Sequence, residues 1–526
     1  MTFNFKNIQS IGIWLSLAFL LFGALHTRDL WAPDEPRYAT VAREMTETGE
    51  WLVPHFNGDI YSGKPPLYFW LEALSAKLFG GFSEFTVRLP SALAGFACLL
   101  LIFWFGRENF SPKAGILATL ILALSPEFLW NAHTAHLDTT FSLFITFALI
   151  LFYQGWSQGK LKSFLYGVWF FAGIAALAKG PTSFILVGLV TLSFLLWQKD
   201  WQAIRKLLFP LPVIIGSAIY WGWVLLAGEH AGWDYVYNNV IWQNFGRVHN
   251  SFDHANPWYT YFLLFPGSFF PWIFFLLAAF HTAWKEKKPR TQFLAVWFIA
   301  IFIFFSFMSG KRTLYLLPLM PAAALWVAHE LEGNYHRRFI RIAFLLSYGL
   351  MMLFGVALPL PFMAHPYGVP LFCLSLFVGL GCLSIGILGI RASYSHRFVK
   401  SLQGLLLAMA FIGISVGQGV YRYVNPYKSA RELSEQLLVH RQEEEPVCLY
   451  GTYNNGSFNF YTGLSFVTVN NEQELQTFLS NFPKVLCIAE GKSWARLNPQ
   501  LQQEFTSLAS DTVGHRSYIL LVRKVR

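Results

Sequence analysis

Acidic and cationic side chains recur in this chain at the ends of apolar runs, where a purely structural account asks for neither. The first cluster is Trp31-Ala-Pro-Asp34-Glu35-Pro36-Arg37-Tyr38. Asp34 stands where a helix begins. An acid there is either a plain N-cap, its oxygen taking a free backbone N–H, or a carboxylate that can position or deprotonate a reacting group. Gly63-Lys64-Pro65-Pro66-Leu67-Tyr68 sets a cation beside a rigid turn, and Asn131 to Asp138 holds His133, His136 and Asp138 between two apolar runs. Lys179 separates two further runs, Lys311-Arg312-Thr313-Leu314-Tyr315 opens another, and His254 follows a polar loop containing Arg247 and His249. Each has a bland reading. A lone lysine snorkels, a boundary acid such as Asp138 caps its helix, and a histidine beside aromatics is more often an interfacial hydrogen-bonder than a metal ligand. Several cations on one face nevertheless make an anion site, and a lipid-linked phosphate or diphosphate suits it.

The elements that must carry these residues are apolar helices. Of 526 residues, 55% are hydrophobic and only 13% charged, against about a quarter charged in soluble proteins. That excludes a water-soluble multidomain protein. Runs long enough for a span of about 20 residues occur thirteen times, from a first anchor near Ile8 to Leu25 to a last centred near residue 411. With the N-terminus inside, eighteen Lys and Arg fall in the cytoplasmic loops, whereas the short outer loops hold only Lys179, Arg247, Lys311 and Arg312. This asymmetry follows the positive-inside rule. The net charge of +10 is therefore topological and no nucleic-acid footprint, and the few cations on the outer side are the functional signal.

Residues 1–421 form the expected transmembrane domain, including a long outer loop over 28–88, in which Glu35 to Thr48 and Leu67 to Phe79 read as helices. Residues 422–526 carry 21 charged side chains and read as a small soluble α/β domain on the outer side. Its β-rich runs are Val447 to Tyr450, Phe466 to Val469, Val485 to Ala489 and Tyr518 to Val522, and its helical stretches Ser429 to Gln442 and Glu472 to Leu479. Of the five cysteines, only Cys448 and Cys487 are placed to pair, as a disulfide or as two buried thiols.

In order and spacing, Asp34-Glu35-Pro36-Arg37-Tyr38-Ala39, Lys64-Pro65-Pro66-Leu67, Ala178-Lys179-Gly180-Pro181, Ser309-Gly310-Lys311 and Tyr315-Leu316-Leu317-Pro318 resemble the aminoarabinose transferase and protein mannosyltransferase group of polytopic GT-C glycosyltransferases. The likeness runs along nearly the whole chain and is strongest to the bacterial subgroup that moves a sugar from a polyprenyl phosphate to lipid A. It implies a GT-C fold of about 13 transmembrane helices with a small α/β soluble C-terminal domain, in the bacterial inner membrane, with the active site and tail facing the periplasm. The implied partners are a polyprenyl-phosphate-linked sugar donor, lipid A or another envelope glycolipid, and membrane lipids.

The resemblance assigns Asp34 to catalysis, and Asp138, from its place between two spans, is the second catalytic candidate. Arg37, Tyr38, Lys64, Lys179, Arg247, Lys311, Arg312 and Tyr315 would bind the donor phosphate or sugar, and His254 and Glu35 would serve an acceptor or ion site. Lipid A enzymes carry Glu directly before Lys-Pro-Pro as part of a zinc site. Here that position is Gly63, so the resemblance carries over no cofactor requirement, and a divalent metal is not assigned. Two other readings stay open: a protein O-mannosyltransferase-like enzyme, and a lipid-linked sugar flippase or transporter. The second is disfavoured because no internal repeat is found and the ionisable groups gather on one face instead of at mid-membrane.

Overall fold

The computed structural model describes residues 8–246, 256–333, 338–363, 368–442 and 445–524. The chain divides into two compact units: a helical unit of Met1–Leu25, Ser62–Tyr68 and Arg88–Val420, and a loop-and-tail unit of His26–Tyr61, Phe69–Val87 and Tyr421–Arg526.

In the helical unit, nine helices among the described residues are long and apolar enough to cross a membrane, or up to 11 if each of two bent helix pairs is one span. The bent pairs are Pro112–Ala123 with Pro126–Ala132 and Thr260–Ser268 with Ile273–Phe280, and two shorter apolar helices are Ile11–Phe22 and Thr182–Gln198. Every expected span thus has a helix at its place, while length and composition alone support nine to eleven. Helices form because the hydrocarbon around these leucine-, phenylalanine- and alanine-rich runs offers no water to backbone N–H and C=O groups, which a helix satisfies within the segment itself. Small residues set the closest crossings: a Cβ on Gly106 would lie 2.8 Å from the Gly115 Cα, so only glycine lets helices Glu84–Asn109 and Pro112–Ala123 approach this far.

The loop-and-tail unit carries two sheets. A hairpin pairs β1 (His55–Phe56) with β2 (Asp59–Ile60). The second sheet has the order β4-β3-β5-β7-β6, comprising β3 (Val447–Tyr450), β4 (Val467–Val469), β5 (Leu486–Glu490), β6 (Phe505–Val513) and β7 (Arg516–Arg523). Strands β3, β4 and β5 run parallel, and β7 joins β5 and β6 antiparallel. β3 is buried along its whole length, because alternate residues face two cores. Val447 and Leu449 pack with Leu433 and Leu437 of helix Arg431–His440, and Cys448 and Tyr450 with Leu475, Phe478 and Leu479 of helix Glu472–Asn481. The latter helix starts on a side-chain cap: Asn471 accepts from the Glu474 N–H, and Glu474 accepts from Asn471 Nδ2 and the Asn470 N–H. Cys448 and Cys487 are register partners on β3 and β5 and are both free, buried thiols.

The first loop is built into this same unit. Arg43 donates to the Asn459 and Phe460 carbonyls at 2.7 and 3.0 Å, Arg431 pairs with Asp29 and Glu84, and Asn57 is held by the Phe466 carbonyl and Asn459. The Tyr461 hydroxyl accepts from the Leu30 N–H at 2.7 Å and donates to Glu84 at 3.2 Å. Sequence order groups this loop with the transmembrane helices; most of its residues instead cluster with the tail.

Candidate active site

In the helical unit, Lys179 is the last residue of helix Leu161–Lys179, which ends as Gly180 turns its N–H onto the Ala176 carbonyl. Asp138 lies in the first turn of helix Leu137–Ser157. The two helices are antiparallel neighbours joined by a short turn, so the end of one meets the start of the other, and the Lys179 ammonium pairs with the Asp138 carboxylate. Their side chains are only 12% and 9% exposed. The ring of Tyr315, in the 3-10 helix Thr313–Leu319, lies 4.3 Å from Lys179 Nζ, and the Phe141 ring 5.3 Å from it. The Lys179 Nζ thus lies between a carboxylate and two aromatic faces, the geometry of an ion pair with added cation–π contacts.

Beside this stretch runs a network that sequence reasoning does not single out. Glu127, in helix Pro126–Ala132, accepts from Thr313 Oγ1 at 2.9 Å, Asn131 Nδ2 at 3.0 Å and Ser268 Oγ at 3.4 Å. Asn131 Oδ1 lies 3.1 Å from His136 Nδ1, and His133 Nε2 bonds to the Leu20 carbonyl at 2.7 Å. An acid just after Ser125-Pro126 is what any helix first turn favours, which hides Glu127. Ser91 carries no signal in the chain either. Its hydroxyl donates to the His136 carbonyl at 2.9 Å and lies 2.7 Å from the Tyr68 hydroxyl, tying the segment Ser62–Tyr68 to the residues just before Asp138. That segment carries Lys64, half-buried, and its Ser62 carbonyl accepts from Asn239 at 3.0 Å.

Lys311 is buried and donates to the Met308 carbonyl, and burial lowers its pKa from the ordinary lysine range. The Arg312 backbone is clasped by the Tyr261 hydroxyl, which receives its N–H at 3.2 Å and donates to its carbonyl at 3.1 Å. Arg247 and His254 lie outside the described residues. Among the described residues, no group of three or more His, Cys, Asp or Glu is placed to hold a metal ion.

In the loop-and-tail unit, Asp34 opens helix Asp34–Thr48, and Pro33 occupies the N-cap position without a side-chain bond. Asp34 is therefore not the cap that its position suggests. Its carboxylate instead takes Arg37 Nη2 at 2.6 Å, one helical turn on. The Arg37 Nε has no partner among the described residues, and Tyr38 packs edge-on against Phe69 at 5.7 Å. Glu35 faces the other way. It is held by both terminal nitrogens of Arg28, each side chain 1% exposed, and receives the Trp31 N–H at 2.9 Å. The Arg28 guanidinium lies over the Trp31 ring at 4.5 Å and the Tyr421 ring at 5.5 Å. Glu35 thus sits in a closed ion pair that fixes the turn into the helix.

Comparison with known proteins bears on the family and the fold. A model of the family described as dolichyl-phosphate-mannose-protein mannosyltransferase matches residues 63–223. An uncharacterized protein of Aquifex aeolicus is 30% identical over 66% of this chain and 69% of its own length. The undecaprenyl phosphate-alpha-4-amino-4-deoxy-L-arabinose arabinosyl transferase 2 of Pseudomonas fluorescens is 30% identical over 71% of this chain and 65% of its own. The crystal structure of ArnT from Cupriavidus metallidurans bound to undecaprenyl phosphate shares the fold, with a TM-score of 0.79 at 20% identity over 97% of this chain and 98% of that one. The chain belongs to the aminoarabinose transferase and protein mannosyltransferase group of GT-C glycosyltransferases. In this glycosyltransferase the expected site residues assemble as two sets, one in each unit. Asp138, Lys179 and Tyr315 meet in the helical unit, and Asp34, Arg37 and Tyr38 share one helix turn in the loop-and-tail unit.

Proposed function

We propose that this glycosyltransferase moves a sugar, aminoarabinose, from a polyprenyl phosphate to lipid A or a related envelope glycolipid at the periplasmic face of the bacterial inner membrane. This reading rests on the largely buried Lys179 ammonium held between Asp138 and Tyr315. A fixed cation in a low-dielectric site stabilises charge developing on a departing phosphate far better than a solvated one. The name of the Pseudomonas relative supports the sugar and its carrier, and the positive-inside charge distribution supports the orientation.

In the transfer, an acceptor oxygen forms the new bond to the anomeric carbon as the bond from that carbon to the phosphate oxygen breaks, and the electron pair leaves with the polyprenyl phosphate. Lys179 neutralises the leaving group, with Lys64 and Arg37 serving its phosphate or sugar. A hydroxyl acceptor gives its proton to Asp34. A phosphate acceptor is already an anionic nucleophile, and Asp34 then orients it. Asp138 holds the Lys179 ammonium in place until the phosphate charge develops.

The protein mannosyltransferase family match favours a second reading, with protein hydroxyls as acceptors. Incubating the purified protein with several polyprenyl-phosphate sugars, then examining lipid A, glycolipid and protein by mass spectrometry, separates the two. Sugar on lipid A supports the first, and sugar on protein alone the second. Sugar-independent lipid movement without any new glycoside overturns both.

A further inference from the structure

A cleft of about 520 Å³ opens within the loop-and-tail unit, between the hairpin β1–β2 with Tyr61 and the segments that follow the C-terminal ends of β3, β4 and β5. Its position follows from topology. β4 and β5 lie on opposite sides of β3, so the connections leaving the parallel strands diverge and leave a crevice at their carboxyl ends, the place where open α/β sheets bind ligands. The volume is within the range of small-molecule sites, about 300–1,000 Å³.

The lining is built for hydroxyl groups. Asn454 is only 7% exposed, yet its Nδ2 has no partner among the described residues, while its Oδ1 accepts from the Gly456 N–H at 3.0 Å. A buried amide donor without a partner costs about 1–3 kcal/mol, and a ligand oxygen in the cleft removes that cost. Asn470 adds an exposed amide, and Tyr61 and Tyr453 add aromatic faces. Arg516 lies 3.5 Å from Glu490, and Asp59 supplies a second carboxylate, so the one cation in the lining is already matched and no positive charge is left over. Such a surface suits a neutral, hydroxyl-rich ring better than a phosphate.

The cleft also adjoins the start of helix Asp34–Thr48. Tyr61 and Tyr453 stand within electrostatic range of Arg37. Gly456, at φ +82°, presses so closely that a Cβ there would lie 2.8 Å from the Arg37 Cα.

We infer that this cleft is a saccharide subsite that grips the sugar backbone of the acceptor and presents its reacting group toward Asp34. The assignment to the acceptor rests on the glycosyl-transfer reading; saccharide binding itself does not. The test titrates the full-length protein in detergent, without donor, with a water-soluble glucosamine disaccharide and separately with a water-soluble sugar phosphate, followed by saturation-transfer NMR. The disaccharide binds saturably, and Tyr453→Ala or Asn470→Ala, both exposed positions that leave the fold intact, weakens it by about tenfold, a loss of about 1.4 kcal/mol. No disaccharide binding, or binding unchanged in both variants, overturns the subsite. Binding of the sugar phosphate alone, lost in the same variants, overturns the acceptor assignment. A wild-type protein that binds the disaccharide but transfers no sugar keeps the subsite and rejects the proposed function.

Discussion

Lys179 gives its ammonium to the carboxylate of Asp138, joining the end of one helix to the beginning of the helix before it. Because both side chains are largely removed from water, neither can be deleted without leaving a buried charge. Lys179→Met is therefore expected to cost about 3–5 kcal/mol of stability as well as transfer. The double variant Lys179→Met/Asp138→Leu regains most of the stability and none of the transfer. Thermal unfolding and turnover measured side by side check this; recovery of turnover in the double variant contradicts a phosphate role for Lys179.

Asp34 has a looser partner, since Arg37 is 17% exposed at its side chain. Asp34→Asn keeps the shape and removes the charge. Transfer to a hydroxyl acceptor should fall by about 10²–10⁴-fold, the range for a positioned general base, with donor binding unchanged. If the acceptor is a phosphate the fall is smaller, because no proton has to be taken. Near-wild-type turnover with a hydroxyl acceptor excludes Asp34 as the base.

Glu72 supplies a pH dependence. It is fully buried in helix Leu67–Phe79, its carboxyl oxygens have no hydrogen-bond partner among the described residues, and burial, with Glu35 adding to it, raises its pKa well above 4.5. The folded state thus holds this proton more tightly than the unfolded chain. The resulting stability is full below pH 4.5 and is lost as pH rises from there through the raised folded value. Glu72→Gln stays neutral at every pH. Its melting temperature should match wild type in acid and exceed it increasingly as pH rises; a difference that does not change with pH contradicts this.

The Arg28–Glu35 pair predicts a structural phenotype. Removing the carboxylate by Glu35→Ala strands a guanidinium with 1% side-chain exposure and is expected to destabilise the turn into helix Asp34–Thr48 by about 3–5 kcal/mol. Hydrogen exchange should quicken at Trp31 and through the first turn of that helix. Unchanged protection there places Glu35 in a role other than structure.

Much of this architecture is legible in the amino-acid sequence. Helix Leu67–Phe79 and strand Val447–Tyr450 have the predicted bounds, because Pro66 and Pro446 open these apolar runs and Gly80 and Gly451, both at positive φ, close them. Lys179 and Tyr315 stand out as polar groups at the edges of spans, and they do converge. Partnership is not legible. Asp34 looks like a cap and binds Arg37, Glu35 looks available and is closed by Arg28, and Glu127 looks like an ordinary first-turn acid and gathers Thr313, Asn131 and Ser268. β6 escapes detection because its Thr, Ser and Asp residues lack the apolar alternation of a half-buried strand; only Phe505 in it is buried. The union of the first loop with the tail is held by pairs such as Arg431–Asp29, 402 residues apart, a separation at which local pattern carries no information.

The proposed reaction exchanges one bond for another: the sugar leaves its polyprenyl phosphate and arrives on an envelope glycolipid. The most direct measurement incubates the purified protein with undecaprenyl-phosphate aminoarabinose and lipid A and follows both products by mass spectrometry. Free undecaprenyl phosphate and aminoarabinose-bearing lipid A should appear in equal amounts, and both should be absent in Lys179→Met. Donor that stays intact while the wild-type protein is folded and both substrates are bound would contradict this transfer.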